Sequence, residues 1–218
     1  MIVISSHVAR GSVGNRAAVF TLEALGFPVW AVPTVILPWH PGHGPATRIV
    51  PEPDQFARFM NDLENAPWLS EVSAVLTGYL GNPEQAEAIA GLVETLKASN
   101  PAARYVCDPV LGDRGGLYVP EATAAAIRDR LLPLADIATP NRYELAWLTG
   151  VEIDGTETAI RAARKAPPAD VMVTSAPASS ADRLANLLVS ETEILRAAHD
   201  SIPKAPNGTG DLTAALYL

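Results

Sequence analysis

Tyr105-Val106-Cys107-Asp108-Pro109-Val110-Leu111-Gly112-Asp113 begins as a short apolar run, ends that run on an acid and is then stopped by proline. Residues 104–108 read as a buried strand, and Pro109, which has no N–H, forbids simple continuation of its ladder. The same event recurs at Ile137-Ala138-Thr139-Pro140-Asn141, the end of a run over 136–139. Further short apolar runs fall at 1–5, 29–37, 73–78 and 170–174. Helical spacing fills the intervals. In 15–25, Ala18, Val19, Leu22 and Leu25 share a face and the pattern stops at Gly26, a natural C′ residue. In 83–98, Ala86, Ile89, Ala90, Val93 and Leu96 repeat it, with Pro83 where the first turn tolerates it. Helices are also predicted at 53–64, 121–131, 142–149 and 156–165. Residues 183–189 and 193–202, separated by three residues, predict an antiparallel hairpin. Strand and helix in alternation predict an α/β fold with a mostly parallel central sheet covered by helices.

The 218 residues suit one domain, and a 48% hydrophobic content is enough for a substantial core. Nineteen prolines and fifteen glycines gather in connections, notably 38–53, 167–168 and 203–206. None is long or polar enough to separate domains. Sixteen basic against 24 acidic residues, with no run of five like charges, exclude nucleic acid or an anionic membrane as the main partner. The single cysteine, Cys107, allows no disulfide within the chain, and no Cys/His cluster has zinc-site spacing. Ile2-Val3-Ile4 is too short for a signal peptide and no apolar run approaches the ~18 residues of a membrane span, so a cytoplasmic protein is expected.

Asn207-Gly208-Thr209-Gly210-Asp211, followed by Leu212, Thr213, Ala214, Ala215 and Leu216, carries the strongest local chemistry. Two glycines let the backbone turn sharply and present N–H groups, and the helix that follows points its positive end at the same place. Asp211 at the mouth of such an anion cradle can take a proton from an alcohol as its oxygen attacks phosphorus, and the helix end favours its ionised form. The same residues taken alone serve equally well as a capped helix start. Asp108 and Asn141 sit at strand ends, the edge where open α/β sheets bind ligands, and Glu144 lies one helical turn beyond Asn141 on the same face. Asp108 and Glu144 offer the hard oxygen ligands that Mg²⁺ with ATP requires.

Six segments in this order resemble the pyridoxal kinases of the ribokinase-like class. They are Ser5-Ser6-His7-Val8 with Gly11-Ser12-Val13-Gly14-Asn15; Gly78-Tyr79-Leu80-Gly81; residues 107–113; Thr139-Pro140-Asn141 with Glu144-Leu145; Val173-Thr174-Ser175; and Gly208 to Asp211. The resemblance implies a three-layer α/β/α sandwich and ATP-dependent phosphorylation of the 5′-hydroxyl of pyridoxal. It implies that Ser6 meets the pyridoxal ring, that Tyr79 packs at the same pocket, and that Asp113 lies near the phosphates. Asp108 and Glu144 would organise Mg²⁺ and its water, with Asn141 beside them on the nucleotide side. Thr174 and Ser175 would approach the nucleotide phosphates from the end of their strand, Asp211 would be the general base, and Gly208, Thr209 and Gly210 the phosphate-stabilising loop. A homodimer is implied as well, and a monovalent cation such as K⁺ is left open.

Two departures accompany the resemblance. Where the family has Asn-His-Thr, a further residue and Tyr-Gly, this chain has Trp39-His40-Pro41-Gly42-His43-Gly44. Pro41 lacks the hydroxyl and N–H of threonine, and His43 takes the tyrosine's place as a ring-facing candidate, with a merely solvated loop histidine as the alternative. The family also continues for several dozen residues after the Gly-Thr-Gly-Asp helix, so a longer natural chain is expected. Two other readings use the same residues. A hydroxymethylpyrimidine kinase shares the fold but usually has cysteine at the position of Asp211. A catalytically silent vitamin B6-binding protein would have no use for a metal site and a base together.

Overall fold

The computed structural model describes residues 1–178, 180 and 182–218. In chain order the elements are β1 (Ile2–Arg10), α1 (Asn15–Ala24), β2 (Trp30–Trp39), α2 (Pro53–Glu64), β3 (Ala74–Thr77), α3 (Glu84–Ser99), β4 (Arg104–Cys107), β5 (Gly112–Asp113), β6 (Gly116–Leu117), α4 (Glu121–Ala126), β7 (Ile137–Ala138), α5 (Arg142–Thr149), α6 (Thr156–Lys165), β8 (Asp170–Pro177), β9 (Arg183–Val189), β10 (Ile194–Asp200) and α7 (Thr209–Tyr217). Among the described residues eight strands form one sheet in the order β10-β9-β8-β7-β4-β3-β1-β2. The six strands from β8 to β2 are parallel, and β9 and β10 add the expected antiparallel hairpin at one end.

The pleat sorts the core into two layers. Ile2, Ile4, Val75, Tyr105, Cys107 and Ala138 point to α2, α3 and α4. Ala138 lies opposite Val171, so Val171 and Val173 continue that face under α5 and α6. Val3, Leu76 and Val106 point the other way, to Ala18 and Leu22 of α1 and Ala214 and Ala215 of α7. The result is the three-layer arrangement expected. α3 shows what holds it: Ile89, Leu92, Val93 and Leu96 are at most 1% exposed, and each such side chain contributes about 1.5–3 kcal/mol of apolar burial.

Three elements differ from expectation. β1 runs to Arg10 rather than stopping near residue 5, pairing with β2 as far as Trp39 through an irregularity between Ser5 and His7. The consecutive polar Ser5 and Ser6 hide this in the sequence, yet both are buried. The helix expected over 121–131 is α-helical only to Ala126, then widens to a π turn over Ile127–Leu131 and tightens to a 3₁₀ turn at Leu132–Leu134. Pro133, with no N–H to donate, ends the regular ladder there. The two-residue strands β5 and β6 form a small hairpin with no periodic signature.

Candidate active site

The parallel strands align so that Thr77, Cys107 and Ala138 stand side by side, and the next residues, Gly78, Asp108 and Thr139, form the carboxyl edge of the sheet. The ladder carries over by one bond to each: Asp108 N–H to Thr77 O at 2.9 Å and Thr139 N–H to Cys107 O at 3.1 Å. Asp108 is therefore pinned at the edge while Pro109 turns the chain away. Its carboxylate accepts the Thr139 hydroxyl at 3.0 Å. Burial, then the nearby charges of Glu144 and Asp211, push its pKa well above the usual carboxylate range, and the Thr139 hydrogen bond offsets only part of this.

Glu144 has a second task that the sequence shows only in part. Asn141 and Glu144 form a capping box at the start of α5, with the Asn141 side chain accepting from Tyr143 and Glu144 N–H, and Glu144 Oε2 accepting Asn141 N–H at 2.8 Å. Glu144 Oε1 turns to the loop after β4 and accepts Leu111 N–H at 3.0 Å and Gly112 N–H at 3.4 Å. Asn141 Nδ2 donates to Gly112 O at 2.8 Å, so α5 anchors the β5–β6 hairpin from both sides. Burial lifts the Glu144 carboxyl to about 7 against the pull of these three N–H groups. Asp113, in that hairpin, is exposed and caps its turn by accepting Gly115 N–H at 2.6 Å.

α7 supplies the opposite wall. Gly208 has φ 95°, in the left-handed region, and a Cβ there would run into the Ser12 carbonyl. Only glycine lets this turn lie against the start of α1. Thr209 and Gly210 follow in the first turn, with N–H groups that meet no acceptor among the described residues, and open space lies where a Gly210 side chain would be. The Asp211 carboxyl accepts Gly14 N–H, but burial outweighs that bond and the electrostatic influence of nearby His40, so its pKa is raised. Burial thus opposes the expected pull of the helix end on Asp211, and the raised pKa makes its carboxylate a stronger proton acceptor. A cavity of ≈ 10 Å³, room for a single water, separates Asp108 from Asp211 and is also lined by Ser5, Thr77 and Gly78.

Ser6 lies within β1, not at a strand end as expected, and packs against Gly14, where any Cβ would collide with its hydroxyl. Gly14 thus stands between Ser6 and Asp211, touching one with its backbone and the other with its N–H. Neighbouring Ser5 has a supporting role that was not expected: its Oγ accepts Tyr79 N–H at 3.1 Å. The Tyr79 hydroxyl accepts from Arg48 at 3.1 Å. His43 is exposed, in the 3₁₀ turn Pro41–His43, with its ring edge-on to His40 at 6.4 Å.

Thr174 pairs with Asn141 across the sheet edge, Thr174 N–H donating to Pro140 O at 2.9 Å. Ser175 is not at the end of its strand, because β8 continues to Pro177. It occupies an irregularity against β9 with φ 53°, a conformation a serine seldom adopts. Two groups escaped the sequence reading. The Thr139 hydroxyl was signalled only by its place before Pro140, and His40 with Asn207, hydrogen-bonded at 3.1 Å across 167 residues, had no signal at all.

Among the described residues no three His, Cys, Asp or Glu side chains form a preformed metal cage. The donor chemistry nevertheless fits a divalent cation: burial raises the pKa of both the Asp108 and Glu144 carboxyls, with the charges of Glu144 and Asp211 adding to the shift at Asp108, and a bound cation would offset that cost of ionisation. Among the described residues no helix is long and apolar enough to cross a membrane.

The phosphomethylpyrimidine kinase family matches residues 53–217. The chain is 38% identical over its whole length to pyridoxal kinase PdxY of Corynebacterium diphtheriae, covering 79% of that protein. The chain belongs to the pyridoxal kinases of this family. Pyridoxal kinase from Leishmania donovani, solved in complex with ADP and pyridoxamine, superposes with a TM-score of 0.89 at 33% identity, over 98% of this chain and 79% of that one. A protein of Bacteroides thetaiotaomicron described as a putative phosphomethylpyrimidine kinase, with pyridoxal, gives 0.86 at 25% identity, over 99% of this chain and 79% of the other. The chain thus has the ribokinase-like α/β fold of the pyridoxal kinases.

Proposed function

We propose that the protein, acting as one kinase domain, transfers the γ-phosphoryl group of ATP to the 5′-hydroxyl of pyridoxal, giving pyridoxal 5′-phosphate and ADP. The observation that carries this reading is Asp211 in the first turn of α7, beside N–H groups that meet no acceptor among the described residues and across a small cavity from the buried Asp108. In the reaction the alcohol oxygen bonds to phosphorus as the bond to the β-phosphate oxygen breaks, and the hydroxyl proton passes to Asp211. The Thr209 and Gly210 N–H groups meet charge on the moving phosphoryl group from fixed positions, with Gly208 shaping the turn. Ser6 and Tyr79 orient the ring, with His43 at the loop that closes on it. Asp113, Asn141, Thr174 and Ser175 line the nucleotide side.

Asp108 and Glu144 would hold Mg²⁺ and its water, and the ion would supply neutralisation of phosphate charge when bound. Glu144 Oε2, which accepts Asn141 N–H alone, keeps a lone pair for such a water, while Oε1 accepts Leu111 and Gly112 N–H and keeps the loop in place. A homodimer is part of the proposal, supported by exposed Ile36, Trp39 and Ile49 along a cleft of ≈ 890 Å³ at the β2 edge. The cytoplasm is the proposed setting, in keeping with a lone, buried Cys107. A coupled ADP-release assay with pyridoxal, pyridoxine and hydroxymethylpyrimidine side by side tests the reading. Turnover of pyridoxal ahead of hydroxymethylpyrimidine is expected; turnover of hydroxymethylpyrimidine alone would make it a pyrimidine kinase, and binding of pyridoxal without ADP release a silent vitamin-binding protein.

A further inference from the structure

The turn that departs from the family pattern, Trp39 to Gly44, is held to the catalytic turn by one contact. His40 Nδ1 lies 3.1 Å from Asn207 Nδ2, the residue immediately before Gly208. The same Nδ1 accepts Gly42 N–H at 3.1 Å. A backbone N–H can only donate, so Nδ1 is the bare nitrogen, Nε2 carries the hydrogen, and the Asn207 carboxamide presents its NH₂. Gly42 is packed against the pair: a Cβ there would stand 2.9 Å from His40 Nδ1 and 3.8 Å from Asn207 Nδ2. The loop closes on itself through His43 N–H to His40 O at 2.9 Å and Trp39 Nε1 to Gly44 O at 3.3 Å. Moving His40 therefore moves the whole turn.

We propose that His40 and Asn207 are positioning residues whose hydrogen bond latches the acceptor-side turn Trp39–Gly44 to the Gly208–Asp211 turn, holding alcohol and base in register. This rests on the kinase reading above, in which Asp211 is the base. Neither side chain touches the reacting atoms; the latch acts through the two backbones it joins. It requires a neutral imidazole. The charged groups facing His40 are His43 from its own turn and Asp211 from α7; burial and then His43 lower its pKa, against the opposing effect of Asp211. Protonating Nδ1 would remove the acceptor for both Gly42 and Asn207, so the latch opens in acid, below the ordinary histidine range.

Four variants of the full chain test this: N207A, H40Q, H40N and the double variant N207A/H40Q. Asparagine can place an acceptor where Nδ1 was, and glutamine reaches instead toward the Nε2 position. N207A and H40Q are expected to raise the KM for pyridoxal about 2- to 10-fold, the scale of one lost hydrogen bond, with the KM for ATP changed less than about two-fold. The double variant should be no worse than the poorer single one, because each removes the same bond. H40N should recover most of the loss and abolish the rise of KM in acid. By NMR, His40 should titrate at higher pH in N207A than in wild type, since the deleted donor favours the neutral ring. An unchanged KM in N207A, additive penalties in the double variant, or H40N as harmful as H40Q would overturn the latch. Wild-type protein that turns over no pyridoxal would sink the kinase reading instead, whereas coincident His40 titrations in wild type and N207A would sink the latch whatever the activity.

Discussion

Glu144 Oε1 accepts the Leu111 backbone N–H at 3.0 Å across 33 residues, tying the start of α5 to the loop that leaves β4. With Oε2 on Asn141 N–H, the one carboxylate accepts at both ends. In E144Q, whichever way the carboxamide turns, its NH₂ faces a backbone N–H. A loss of about 1–3 kcal/mol in denaturant unfolding is expected, together with a shift of the Mg²⁺ dependence of activity to higher concentration. Wild-type stability with an unchanged Mg²⁺ titration would contradict both tasks assigned to Glu144.

The same carboxyl gives a pH signature in metal-free buffer. Its folded pKa is raised from 4.5 to about 7, so between those values the folded chain holds a proton that the unfolded chain has lost. Stability attributable to Glu144 therefore falls as pH rises through that window and levels off above it, by on the order of 2–4 kcal/mol. Unfolding free energy measured against pH in EDTA, wild type minus E144Q, should show this decline. Adding Mg²⁺ above pH 7 should restore part of the loss. A difference that rises with pH would mean the carboxylate is stabilised by its N–H partners more than it is penalised by burial.

Ser6 is buried beside Gly14, whose N–H meets the Asp211 carboxyl, and is proposed to meet the pyridoxal ring. Ser6→Ala should raise the KM for pyridoxal by the equivalent of about 0.5–1.5 kcal/mol and leave that for ATP nearly unchanged. Equal effects on both substrates would move Ser6 out of the acceptor pocket.

Which parts of this were legible follows from what each element depends on. α5 was read at its observed bounds, 142–149, because its capping box and its Gly150 stop are local. α2 and α6 were equally local. β1 was cut short because Ser5 and Ser6 look like a strand's end, whereas Ser5 finds its partner far along the chain, at Tyr79 N–H, and Ser6 is buried against Gly14. Asp108, Glu144 and Asp211 were found from strand ends and a glycine-rich helix start. Their raised pKa values were not, because desolvation depends on the tertiary packing around each carboxyl. The His40–Asn207 contact spans 167 residues and has no periodicity to betray it.

The two loop glycines should respond in opposite ways. Gly208→Ala puts a side chain at φ 95° against the Ser12 carbonyl, so stability and kcat should fall together, the backbone conformation alone costing about 1–2 kcal/mol. At Gly210 a methyl group meets open space within a helix, so Gly210→Ala should hold or raise stability by up to about 1 kcal/mol. Its kcat should still fall if, as proposed, that space admits the moving phosphoryl group. A Gly210→Ala protein that is both stable and fully active would leave the α7 turn without its proposed ligand.

Asp211→Asn tests the central claim most directly. Asparagine keeps the size of the side chain and an acceptor for Gly14 N–H but cannot take the proton of the 5′-hydroxyl. Measured on one purified variant, kcat with pyridoxal should fall about 10²- to 10⁴-fold, while ATP binding changes little and unfolding free energy moves by no more than about 1 kcal/mol. Reduced stability with kcat of the folded protein near wild type would contradict the account and leave Asp211 as a helix cap.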